Sequence, residues 1–262
     1  MSDSFKTTQL RVSEFERYSR QIMLDGWGEE GQLRLKNARV VIIGCGGLGN
    51  IVATYLVGAG VGTISLIDGD DVELSNLPRQ IAFDRDSCGL NKADELTQRL
   101  FSQNDDVDIH VNPLFVDADN IDELLEHHDL VIDCSDNFET RRLINHWCVT
   151  NKLALLSASV IGWQGQALLV LPNLAYGCYQ CLFDVIGTQE KSCQSMGVSP
   201  AMVGIIGSYQ ANEALRFLLK SSSKLSSHVS LIDGANFSVN QFLRAANPQC
   251  DVCARIREPN ND

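Results

Sequence analysis

Two CxxC steps, Cys178-Tyr-Gln-Cys181 and Cys250-Asp-Val-Cys253, lie about seventy residues apart and limit what this chain can fold into. Each step, on a tight turn, can offer both thiolates to one metal ion, and two such turns complete the tetrahedral ligand set of a structural Zn²⁺. The neighbourhoods of residues 178 and 250 are therefore expected to meet, with Cys178, Cys181, Cys250 and Cys253 as ligands. The alternative is four free thiols or a disulfide pair. Four protein ligands leave no open position for a catalytic water, so the metal is expected to hold the fold while the chemistry sits elsewhere.

A glycine run points to that second place. Residues 39–43 read as an apolar strand ending in Gly44-Cys45-Gly46-Gly47-Leu48-Gly49, residues 50–59 as a helix, and residues 63–67 as a strand ending at Asp68. Strand, glycine turn, helix, strand and acid make the first half of a doubly wound α/β domain. Further helices are expected over 92–101, 121–126 and 139–150, and strands over 108–112, 130–133, 153–157 and 166–171. A broad apolar stripe predicts a long helix over 203–219 with Glu213 and Arg216 on its opposite face, followed by strands at 225–232 and 238–243. The expected fold class is α/β: a doubly wound, mostly parallel, Rossmann-like sheet with a zinc-stapled C-terminal mixed or antiparallel sheet element. Residues 15–255 read as a single domain with halves at 15–150 and 151–255, short surface helices filling 14–35. Residues 1–14 read as a flexible N-terminal tail and 256–262 as a C-terminal tail.

Charge and composition narrow the partners. A formal net charge of -12 without a Lys/Arg stripe argues against nucleic acid. No basic-then-apolar leader precedes Phe15, and apolar stretches break well before a membrane-spanning length, so no membrane is expected. Nine cysteines, with Cys45, Cys88, Cys134 and Cys148 in apolar or helical surroundings, fit a reduced, cytoplasmic protein. Any nucleotide must then be held by a few placed cations.

The glycines supply backbone N–H groups that can approach phosphates, and Asp68 stands about twenty residues on, where a carboxylate accepts from ribose hydroxyls. NAD, FAD and ATP all use this pattern. Downstream, Arg79, Lys92, Asp133, Asp136 and Asn137 suit a triphosphate with Mg²⁺, because cations stabilise the charge that migrates to leaving pyrophosphate and carboxylates hold a hard cation. Surface ion pairs for Arg79 and Lys92, a dinucleotide-dependent oxidoreductase, and a nucleotide-binding scaffold without turnover are the competing readings.

Taken in order, Arg17-Tyr-Ser-Arg-Gln-Ile22, the glycine run, Asp68-Gly-Asp70, Ser75-Asn-Leu-Pro-Arg-Gln80, Lys92, Asp133-Cys-Ser-Asp-Asn137, the two CxxC steps and Cys193 resemble the bacterial ThiF/MoeB/HesA adenylyltransferases, relatives of the ubiquitin-activating E1 enzymes. The resemblance covers about residues 15–255. It implies a homodimeric enzyme that uses ATP and Mg²⁺ to adenylate the C-terminal Gly-Gly carboxylate of a small ubiquitin-like sulfur carrier protein, the half at 151–255 binding the carrier. By position it implies a nucleotide site of Gly44, Gly46, Gly47, Gly49, Asp68, Asp70, Ser75, Asn76, Arg79, Lys92, Asp136 and Asn137. Asp136 would hold Mg²⁺, Arg79 and Lys92 would neutralise phosphates, and Arg20 would cross the dimer to the partner's ATP. Cys193 matches a cysteine that can form a covalent link with the activated carrier.

Cys193, Ser157-Ala-Ser159 and the DCSDN segment lean towards ThiF, whose carrier ThiS serves thiamine thiazole synthesis, over MoeB, whose carrier MoaD serves molybdopterin. Departures are Pro78 in place of a common glutamine, Cys45 in place of Ala or Leu, and Ser199-Pro200-Ala201 in place of Leu-Gly-Pro. No rhodanese-like extension follows Cys253, so a separate cysteine desulfurase or rhodanese-type donor is expected to bring sulfur.

Overall fold

The computed structural model describes residues 7–186 and 197–256. Among these, eight strands form one sheet in the order β3-β2-β1-β4-β5-β6-β7-β8. They are β1 (Arg39–Ile43), β2 (Thr63–Ile67), β3 (Asp108–Asn112), β4 (Leu130–Asp133), β5 (Leu155–Ile161), β6 (Gln164–Val170), β7 (His228–Asp233) and β8 (Ser238–Leu243). The first five pair in parallel and the last three continue the sheet antiparallel. The C-terminal strands thus extend the nucleotide-type sheet and share its core. Helices are α1 (Val12–Ile22), α2 (Gly28–Lys36), α3 (Gly47–Ala59), α4 (Lys92–Gln103), α5 (Ile121–Leu125), α6 (Phe138–Thr150), α7 (Tyr179–Ile186) and α8 (Pro200–Leu218).

Strands β1, β2 and β4 are almost continuous apolar runs because helices cover both faces of the sheet. Side chains alternate between two cores: Val40 and Ile42 join Leu56, Ile64 and Ile206, whereas Val41 and Ile43 join Val131, Trp147 and Leu155. The first core takes α2, α3, α4 and α8; the second takes α5, α6, α7 and all four CxxC cysteines. Helix α8 opens with proline at its first position, where no N–H is missed, and packs along α3. Buried in α8, Gln210 donates to the carbonyls of Asp133 and Leu156 at 2.9 and 3.2 Å, tying the helix to β4 and β5.

Four details differ from the sequence expectation. Glu213 is buried rather than on the solvent face of α8, because Ser223 donates to its carboxylate and Arg216 lies 3.6 Å away. Helix α3 starts inside the glycine run, at Gly47. The first CxxC step, read as a tight turn, enters α7: Cys178 precedes the helix and Cys181 lies in its first turn. At the other end of the chain, α1 begins at Val12, within the segment read as a tail.

That early start has a charged anchor. Glu14 is buried and accepts from Lys36 Nζ at 2.7 Å and from the Arg11 backbone N–H at 2.6 Å. Burial pushes the Glu14 carboxyl up, but the bonds from Lys36 and Arg11 outweigh it and bring it down to about 2. A carboxylate depressed on folding stabilises the fold fully above its unfolded value of about 4.5 and loses that contribution as pH falls towards 2. Urea midpoints measured from pH 5 to pH 2 should therefore fall less steeply in Glu14→Gln than in the wild type, and parallel curves would remove the ion pair from the acid response.

Candidate functional site

The chain runs from β1 outward through β2 and β3, then returns to β4 on the other side of β1. Such a reversal leaves a crevice at the carboxyl ends of the strands, the place where open α/β sheets bind ligands. Here the crevice is a cleft of about 600 Å³. Gly44, Gly46 and Gly47 line it, facing Asp68, Asp70, Asn76, Arg79 and Lys92, with Asp136 and Asn137 on the β4 side. The close turn depends on missing side chains. A Cβ at Gly44, where φ is +92°, would meet the Cys134 carbonyl oxygen at 2.8 Å, and one at Gly49 would fall 1.8 Å from the Gly44 oxygen. Gly49 consequently serves helix–strand packing and does not line the cleft.

The acid of the second strand is held by backbone. Asp68 accepts from the N–H groups of Cys45 at 2.7 Å and Asp70 at 2.8 Å, one on each oxygen. Burial pushes its carboxyl above the usual carboxylate range, against those bonds and the nearby Lys92 charge. Asn91 caps α4 by accepting from Ala93 and Asp94, and its amide donates to the carbonyls of Asp68 and Asp70, which sets Lys92 in the first turn facing the cleft. Lys92 is buried and reaches exposed Asp70 at 2.8 Å, so it is not a surface cation. Arg79 is half-buried and donates to the Ser75 carbonyl at 3.0 Å. Ser75 itself is exposed outside the cleft lining, while buried Asn76 accepts from the Glu73 N–H and closes the turn.

The aspartate that ends β4 and the one just after it divide the work. Asp133 is buried and saturated, accepting from the Ser135 N–H and hydroxyl at 3.0 and 2.6 Å and from the Ser157 hydroxyl at 2.6 Å, with Arg141 3.8 Å away. Asp136 is exposed on the cleft, an oxygen ligand that a hard cation could use. Asn137 caps α6 by accepting from the Thr140 N–H at 2.8 Å. Arg20 is exposed on α1 and does not line the cleft. Cys193 lies outside the described residues. Cys45 and Cys134 are buried thiols, pushed well above the ordinary thiol range by desolvation, which makes them poor nucleophiles.

On the second-core side, the four CxxC sulfurs converge. A tetrahedral ion with bonds of about 2.3 Å holds its sulfurs about 3.8 Å apart. Cys178 lies 4.0 Å from Cys181 and 3.7 Å from Cys250, Cys181 lies 3.3 Å from Cys253, and all four sulfurs fall within 4.8 Å of one another. Spacing and soft donor type fit a Zn²⁺, which would staple α7 to the C-terminal turn. Residue spacing did not reveal Arg244, buried just after β8. It donates to the carbonyls of Leu169 at 2.6 Å, Ser226 at 2.8 Å and Gly177 at 3.4 Å, which lashes the Cys178 turn to β6. Burial pulls this guanidinium down to about 10, opposed by the nearby Cys178 and Cys181 sulfurs. Nor did spacing indicate Arg141 and Tyr179, two buried residues that line the cleft. A buried arginine on a helix carries no one-dimensional signal.

A glycine-turn cleft at the switch point of a mixed sheet, beside a four-cysteine cluster, is the architecture of the E1-like adenylyltransferases. The ThiF family model matches residues 18–252, and the chain belongs to the ThiF family. It is 39% identical over 244 residues to the adenylyltransferase and sulfurtransferase MOCS3 of Caenorhabditis briggsae, covering 92% of this chain and 61% of that protein. It is 38% identical over 240 residues to the sulfur carrier protein ThiS adenylyltransferase of Escherichia coli K12, covering 92% of this chain and 95% of that protein. The crystal structure of E. coli MccB with ATP superposes with a TM-score of 0.78 at 26% identity, covering 90% of this chain and 74% of that one. Identities of 39% and 38% place the chain no nearer to the ThiS type than to the MOCS3 type, so similarity does not carry the lean towards ThiF. No described helix is long and apolar enough to cross a membrane.

Proposed function

We propose that this chain adenylates the C-terminal Gly-Gly carboxylate of a small ubiquitin-like sulfur carrier protein at the cleft between β1 and β4. The observation that carries the reading is the convergence of the glycine turn, Asp68, Arg79, buried Lys92 and exposed Asp136 on one cleft. A carboxylate and a triphosphate repel at neutral pH, so cations held in place before the substrates arrive lower the cost of bringing them together. The carrier carboxylate oxygen attacks the α-phosphorus of ATP, the bond to the β-phosphate oxygen breaks, and pyrophosphate leaves with the negative charge. In this reading Lys92 and Arg79 stabilise that charge, Asp68 orients the ribose, and Arg20 of a second copy completes the cation set in a homodimer. Asp136 would hold Mg²⁺, which supplies charge neutralisation on the phosphates. The half at 15–150 binds nucleotide and that at 151–255 receives the carrier, a role to which the exposed Val239, Phe242 and Leu243 of edge strand β8 are suited.

Within this reading the carrier is of the ThiS type, with sulfur delivered by a separate desulfurase or rhodanese-type protein. The similarity to MOCS3 supports a second reading, in which the carrier is of the MoaD type. Exchange of labelled pyrophosphate into ATP, run side by side with both carriers, should be carrier-dependent and at least tenfold faster with the ThiS type. A tenfold preference for the MoaD type would reverse the assignment. Tight ATP binding with no exchange for either would leave a nucleotide-binding scaffold.

A further inference from the structure

A second feature of the cleft is a hydroxyl whose proton has no acceptor. Tyr179 is 2% exposed and lines the cleft; the nearby Arg141 guanidinium can only donate to its hydroxyl, and among the described residues no group accepts from it. Leaving a buried phenol unsatisfied costs stability, and replacing it with an apolar group of the same shape is ordinarily neutral or favourable. An orphan of this kind in a ligand cleft marks a place where an acceptor is missing.

The position of Tyr179 is tightly specified. It directly follows Cys178, so the cysteine cluster sets where its backbone starts. Buried Asn145 of α6 accepts from the Tyr179 N–H at 3.0 Å and turns its amide nitrogen towards the Cys178 sulfur at 3.6 Å, so one side chain holds both neighbours. The ring stacks on Phe183 with centroids 4.2 Å apart, and Phe183 meets Phe138, another residue of the cleft wall, edge-on at 6.3 Å. Ring, backbone and preceding thiolate are each restrained, and only the hydroxyl proton is left without an acceptor.

We propose that the Tyr179 hydroxyl donates a hydrogen bond to an anionic oxygen of the bound reactants, and that the cysteine cluster, which has no open coordination position, influences the reaction by seating this donor. The inference rests on the adenylation reading above. Two reactants can present the oxygen: the α-phosphate of the nucleotide and the carboxylate of the carrier. The chemistry is shared, an oxygen bearing negative charge at the reacting end of the cleft.

The test compares Tyr179→Phe with the wild type in two arms, equilibrium binding of MgATP without carrier and pyrophosphate exchange with a ThiS-type carrier. Phenylalanine keeps the stacked ring and removes the orphan, so zinc content should stay equal and the melting temperature should hold or rise by about 2–4 °C. Loss of a charge-assisted bond should weaken one arm by about tenfold to a hundredfold. Weaker MgATP binding assigns the acceptor to the nucleotide. Unchanged MgATP binding with a lower kcat or raised carrier KM in exchange assigns it to the carboxylate. Both arms within twofold of the wild type overturn the proposal, and so does a loss of activity that merely follows a loss of zinc or of melting temperature. Wild-type protein that binds MgATP but exchanges with no carrier sinks the adenylation reading instead, and the binding arm then decides Tyr179 alone.

Discussion

Lys92→Ala is expected to lose carrier-dependent pyrophosphate exchange by about 10²–10³-fold, the scale of removing one preorganised charge donor from a water-poor site. The expectation rests on a buried ammonium at the first turn of α4 whose 2.8 Å contact is Asp70, an exposed carboxylate at the cleft edge. Triphosphate oxygens arriving there would compete with Asp70 for the same cation, whose desolvation the fold has already met. Exchange within threefold of the wild type would take Lys92 out of the mechanism. The same variant tests the homodimer. If Arg20 acts across the interface, mixing Lys92→Ala with Arg20→Ala protein should build heterodimers with one fully wild-type site and restore about a quarter of the activity. If Arg20 acts within its own chain, no site recovers both residues and the mixture stays inactive.

Protein purified without chelator is expected to carry about one Zn²⁺ per chain, and Cys250→Ser should lose most of it together with roughly 10 °C or more of melting temperature. Cys250 and Cys253 are buried in the second core, with Val252, Ala254 and Ile256 of the same turn packed against it, so ion and packing should fail together. Because Cys178 adjoins cleft-lining Tyr179, exchange should fall as well although none of the four CxxC cysteines lines the cleft. A zinc content near zero in fully stable wild-type protein would show that the four thiols hold the fold without metal.

The elements that residue order revealed are those whose signal is local. Val40 to Ile43 are apolar on both faces, Gly44 and Gly49 stand where a Cβ cannot, and CxxC spacing suits a tetrahedral ion wherever the two turns come together. That Gly44, Gly46, Gly47, Asp68, Lys92 and Asp136 line one cleft was legible for the same reason: each sits close to the end of a strand or the start of a helix, whereas Arg79 lies in a turn and was marked only by its motif.

Residues that act through distant neighbours could not be read this way. Ser75 belongs to the same motif as Asn76 and Arg79, but it is exposed outside the cleft lining: its carbonyl anchors Arg79, and its hydroxyl donates to Glu73 and accepts from Asn76. Asp133 and Asp136 are three residues apart and of one chemical type, yet the first is saturated by Ser135 and Ser157 and the second faces the cleft. Glu213 is buried because Ser223 comes back over α8. Arg244 and Tyr179 have no periodicity to betray them, since their roles follow from carbonyls and a cleft supplied by other parts of the chain. Local backbone preference and ligand spacing are written along the chain, whereas burial of a charge and the partner of a hydroxyl depend on which remote segments arrive beside them, and only folding brings those together.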